Sequence, residues 1–81
     1  MEENNLKEQI KKMSDKELKE NYTMECVSLH SATIYTSIMN SCEQFEKATI
    51  GANLINHHSN ILNLIIKEID SRRKDNAQEL A

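Results

Sequence analysis

The chain contains no proline and a single glycine, Gly51, in 81 residues. Proline costs a helix interior about 3 kcal/mol and glycine about 1 kcal/mol relative to alanine. Their scarcity removes most of the punctuation that divides a sequence into short elements. A few long helices are expected, with Gly51 as the main turn. Cysteine is also scarce. Cys26 and Cys42 are 16 residues apart on one expected helix, a separation of about 24 Å, whereas a disulfide needs Cα atoms within about 7 Å. Reduced thiols are therefore expected, and no N-terminal apolar segment resembles a signal peptide, so the cytoplasm is the expected compartment. The uncharged stretches are interrupted by Ser, Thr, Asn and His, which excludes a membrane span.

Charge of one sign is likewise missing. A net charge of −3 argues against free-standing nucleic-acid binding, which shows as a basic face, and is too mild for a phosphate-mimicking acidic surface. The distribution is more telling than the total. Residues 1–20 hold eleven charged side chains and residues 67–81 hold eight, but the 46 residues between hold only Glu25, Glu43, Glu46 and Lys47. Nothing from Cys26 to Cys42 is charged. Solvated helix faces are rich in Lys and Glu, so a long neutral stretch implies that much of its circumference meets protein. One small domain is expected. At this size a lone core seldom supplies more than about 3–5 kcal/mol, which leaves self-association or docking on a larger protein as the source of further stability.

Residues 1–13 form an N-terminal arm or short helix carrying one narrow stripe of Leu6, Ile10 and Met13. Ser14-Asp15-Lys16-Glu17 then reads as a capping box, with Met13 and Leu18 as its hydrophobic staple. A helix beginning there meets no breaker until about Lys47. Its apolar positions Leu18, Tyr22, Cys26, Leu29, Ile34, Ile38 and Cys42 step by about 4 residues rather than 3.6, and drift around the helix. Either the helix breaks near His30–Thr33, or different faces are buried along its length. Leu54/Ile55, His58, Ile61/Leu62, Ile65/Ile66 and Ile69 keep a regular 3.6 spacing. A second helix is placed at about 52–74, with a rival start at Ser59 or Asn60. Arg72, Arg73 and Lys74 suit its negative end, and 75–81 is a polar tail that frays. The fold class is all-α: a helical hairpin, 14–74, with helices of about 15–47 and 52–74, dimerising into a four-helix bundle.

Site chemistry is sparse. His57 and His58 are adjacent, so on a helix their rings point about 100° apart and do not share one metal. The spacings that zinc favours are absent, and neither a metal nor a cofactor is expected. Cysteine nucleophile chemistry needs a histidine and an orienting acid, and the sequence offers no acid near His57 or His58. His58 reads instead as a histidine hydrogen-bonded within a helix interface, with His57 exposed. Lys11-Lys12 and Arg72-Arg73-Lys74 are too short for nucleic-acid patches. No small-molecule substrate is implied, and an enzyme is not expected.

Met13-Ser14-Asp15-Lys16-Glu17-Leu18 with Tyr22, and Leu64-Ile65 with Glu68-Ile69 and Arg72-Arg73, resemble the two ends of the Sda-type helical hairpin. The segment between them is much longer here, and the closing spacing differs by a residue. That family consists of small bacterial inhibitors of sensor histidine kinases, so the resemblance implies a hairpin that docks on a larger protein. A non-enzymatic protein-binding regulator of bacterial or phage type is accordingly expected. Leu29, Ile34, Tyr35, Ile38 and Met39 form its interface, and Tyr35 is the anchor, since aromatic residues dominate interface energetics. A self-assembling structural protein without a client, or a nucleic-acid accessory protein, are the alternatives.

Overall fold

In the computed structural model, which describes residues 2–80 and the side chains of 4–76, the chain forms three helices: α1 (Glu2–Lys12), α2 (Asp15–Ser41) and α3 (Phe45–Leu80). α2 and α3 pack antiparallel as a hairpin, and α1 lies against α3. The molecule is a rod of 55 × 26 × 17 Å with a radius of gyration of 16.0 Å, against about 12 Å for a compact domain of this length. Little of its apolar surface is enclosed.

The capping box starts α2 as expected. Ser14 Oγ accepts from the Glu17 amide at 3.1 Å, and Glu17 Oε1 accepts from the Ser14 amide at 3.4 Å. Leu18 is buried with Ile10 and Ile65, and Leu6, Met13, Ile61, Leu64 and Ile69 pack around them. This cluster joins all three helices at the end of the rod remote from the turn.

The turn is not at Gly51. α2 ends at Ser41, ten residues before Gly51; the chain turns through Cys42, Glu43 and Gln44, and Gly51 lies buried within α3. Glu43 takes a left-handed conformation, φ 60°. Its amide donates to Asn40 O at 3.1 Å and the Gln44 amide donates to Met39 O at 2.8 Å, the paired bonds of a Schellman stop. Glycine normally takes that left-handed position, so the turn carries no signal in the sequence. The helices therefore run 15–41 and 45–80 rather than about 15–47 and 52–74, residues 75–80 continue α3 instead of leaving it, and no second start occurs at Ser59 or Asn60.

Nor does α2 break near His30–Thr33. Its seam-side positions are Leu18, Tyr22 (at the exposed edge), Glu25, Leu29, Ala32, Thr36 and Met39, alternating steps of four and three. α3 answers with Ala48, Gly51, Ile55, His58, Leu62, Ile65, Ile69 and Arg72 in steps of three and four. Both are unbroken heptad seams, as in a coiled coil. The drift of apolar residues along α2 arose because Ile34 and Ile38 face outward while Glu25 and Thr36 face inward. Gly51 serves the close approach of the two helices. A Cβ there would collide with Thr36 Oγ1 and stand 3.1 Å from Thr36 Cβ and 3.2 Å from Tyr35 Cδ1.

Candidate interaction surface

Two polar clusters fix how the helices present their outer faces. The first is inside the seam. His58 Nδ1 donates to Glu25 Oε2 at 2.6 Å, both side chains being largely enclosed. The orienting acid that sequence proximity did not supply comes from the opposite helix, 33 residues away. A polar pair at one seam level matches only one register of the hairpin, which is the usual service of such a pair in a coiled coil. His57 is exposed and meets the His58 ring edge-on, with centroids 5.2 Å apart.

The second cluster holds α1. The Arg72 guanidinium donates to Asp15 Oδ1 at 2.7 Å, Met13 O at 2.8 Å, and Glu68 Oε2, Ile10 O and Lys11 O at 3.4 Å. The carbonyls of Ile10 and Lys11 belong to the last turn of α1, where backbone acceptors lack helical partners and the helix dipole is negative. Arg72 thus caps α1 rather than its own helix, and ties it to the start of α2. Its pKa is raised, chiefly by the hydrogen bond to Asp15 and further by Glu68, against the opposing effect of burial.

The seams leave each helix with a second apolar stripe. On α3, Ile50, Leu54, His57, Ile61, Leu64 and Glu68 repeat in steps of four and three. We call this side of the hairpin its front, because α1 lies on it: Leu6 shares a depression with His57, Ile61 and Leu64, and Ile10 one with Leu64 and Glu68. α1 covers only the half of the stripe remote from the turn. Ile50 and Leu54 remain 56% and 41% exposed. On α2, Met24, Val27, Ile34 and Ile38 occupy the side turned away from α3, and all four are exposed. The back of the hairpin carries a shallow groove with Leu18, Tyr22, Ile66 and Ile69 inside a charged rim of Asp15, Lys19, Asp70, Arg72 and Arg73.

Of the five residues expected at an interface, Ile34, Tyr35 and Ile38 are on the surface. Leu29 and Met39 are half-buried in the seam between α2 and α3. The exposure of Ile50 and Leu54 was not foreseen because sequence reading placed the first on the turn and the second in the buried stripe. The 3–4 spacing from Ile50 through Leu64 was the available signal.

Part of the hydroxyl donor capacity of the neutral stretch is used within the helices themselves. Thr33, Ser41 and Thr49 donate their hydroxyl protons to the carbonyls of Leu29, Ser37 and Phe45 at 2.8–3.0 Å. Such back-bonding satisfies the hydroxyl donor within the helix. Among the described residues, no helix is long and apolar enough to cross a membrane, and no three His, Cys, Asp or Glu side chains gather as a metal site.

Comparison of the chain with protein-family models, curated proteins and solved structures finds no match.

Proposed function

We propose that this chain is a small, non-enzymatic, cytoplasmic regulator, an inhibitor or adaptor of bacterial or phage type, that binds a larger protein through the outer face of α2 and acts as a homodimer of hairpins. The observation carrying this reading is the exposure of Met24, Val27, Ile34 and Ile38 on one uncovered helix side, within a chain segment that has no charge from Cys26 to Cys42. An apolar helix stripe at 3–4 spacing is the form in which helices dock into grooves of partners. Tyr35, at the edge of that stripe, is the aromatic anchor.

Affinity purification of the tagged full chain from its native host, read by mass spectrometry, tests the proposal. A partner retained by the wild type is lost by at least tenfold with Tyr35→Ala and with Ile34→Ala, while helical circular dichroism is unchanged. Equal capture by both variants refutes the assignment of this face. Recovery of the chain alone favours a self-assembling structural role instead, a reading supported by the exposed apolar residues of α3.

A further inference from the structure

The two halves of the hairpin are built differently. Remote from the turn, large side chains face inward: Leu18, Ile65 and, from α1, Ile10. Near the turn the buried positions are Ala32, Ala48 and Gly51, while Ile34, Ile38, Ile50 and Leu54 face outward. More large apolar side chains point to solvent there than into the seam.

We propose that the turn-proximal front face, Ile50 and Leu54 of α3 with Tyr35 of α2 at its edge, is where a second copy of this chain docks about a two-fold axis. This deepens the dimer reading above, on which it rests, by locating the contact. Continuity gives the first argument. Ile50 and Leu54 extend, without change of spacing, the same stripe that α1 covers at Ile61 and Leu64, so this face already accepts a helix along half its length.

Charge gives the second. A two-fold contact sets each patch against itself, and any net charge near the axis is doubled and repelled. α3 carries no Asp, Glu, Lys or Arg between Ala48 and Ile66, and α2 none between Cys26 and Ser41. Overlapping the two turn halves antiparallel, front to front, stacks α2 and α3 of one copy on those of the other as a four-helix bundle. It places the two α1 helices at opposite ends, where they do not obstruct the contact. The outer stripe of α2 stays free for a client, and Tyr35 lies where the two surfaces meet.

The test is the mass of the full chain at micromolar concentration, by size-exclusion chromatography with light scattering. The wild type is expected at twice 9.4 kDa. Leu54→Glu and Ile50→Glu are expected to halve that mass with helicity retained, whereas Ile66→Glu, which puts the same charge on the back groove, leaves it doubled. Should the front-face variants fail to fold, hydrogen–deuterium exchange of the wild type on dilution provides the second reading: amides around 50–57 lose protection as the mass falls, before those around 61–69. A monomeric wild type overturns the dimer and its surface together. A wild type and Leu54→Glu that are both dimeric, or exchange that rises uniformly on dilution, overturn this surface alone.

Discussion

Replacing Gly51 by alanine separates two opposed effects that sequence reasoning alone does not rank. In a helix interior the change is favourable by about 1 kcal/mol, because glycine loses more backbone entropy and buries no side chain. In this hairpin the new methyl enters the seam. It overlaps Thr36 Oγ1 and stands 3.1 Å from Thr36 Cβ and 3.2 Å from Tyr35 Cδ1, well inside the carbon–carbon optimum of about 3.5–4.0 Å. Turning the Thr36 hydroxyl away sacrifices its 2.7 Å bond to Ala32 O, about 1 kcal/mol, and leaves Thr36 Cβ where it was. Overpacking of this kind costs about 1–3 kcal/mol, which together with the lost hydrogen bond outweighs the propensity gain, so Gly51→Ala destabilises by about 1–3 kcal/mol. Urea unfolding followed by circular dichroism at one fixed chain concentration measures it. In a Thr36→Ala background the overlap with Oγ1 is gone, and the same substitution becomes less harmful by about 1 kcal/mol, a coupling within the range seen for residues in contact. A Gly51→Ala protein at least as stable as wild type, or an effect identical in both backgrounds, refutes close helix approach as the reason for this glycine.

The Arg72 clip and the seam pair yield two further expectations. Arg72→Met keeps an apolar stem but removes the donor to Asp15, Glu68 and the end of α1, and is expected to cost about 2 kcal/mol, the lower part of the range for charged hydrogen bonds because Asp15 is exposed. Amide exchange in α1 accelerates more than exchange in the α2–α3 seam; equal acceleration in both contradicts the capping role. His58→Leu and Glu25→Leu each strand one polar group in the seam and lower stability by about 1–3 kcal/mol. The double variant returns to within about 1 kcal/mol of wild type or exceeds it, and additive losses in urea unfolding count against the pair.

The legible parts of the fold were those governed by local chemistry. Ser14 to Glu17 announced the start of α2 because capping needs only residues three apart, and the stripe ending at Ile69 announced α3 because nearly all its inward positions are apolar. What the sequence concealed was set between helices. Gly51 read as a turn from its intrinsic freedom, but the space beside Thr36 determines its place. Glu43 takes the left-handed turn position with no residue preference to reveal it. The α2 seam was hidden by its own polar members, since Glu25 and Thr36 look like surface residues until His58 and Gly51 stand opposite them. Arg72 was visible as a cation near a helix end, yet the end it serves belongs to α1, 60 residues earlier in the chain. Among the residues expected at an interface, Ile34, Tyr35 and Ile38 were separable from Leu29 and Met39 only once the 3.5-residue period of the seam was fixed.

That period also connects stability to the proposed activity. Near the capping box, Ile10, Leu18 and Ile65 enclose one another and Arg72 fastens three chain segments, so this end of the rod is held from within. Toward Glu43 the seam narrows to Ala32, Ala48 and Gly51, and small residues draw two backbones together while contributing little buried area. Close approach then turns the larger side chains outward, because the positions flanking a narrow seam face solvent. The same residues that leave the turn end weakly enclosed thereby create its neutral apolar exterior. Enlarging the seam at Gly51 or Ala48 to strengthen the monomer would push α2 and α3 apart and change the spacing of Tyr35, Ile50 and Leu54. Monomer stability and surface geometry are therefore opposed at this end of the hairpin.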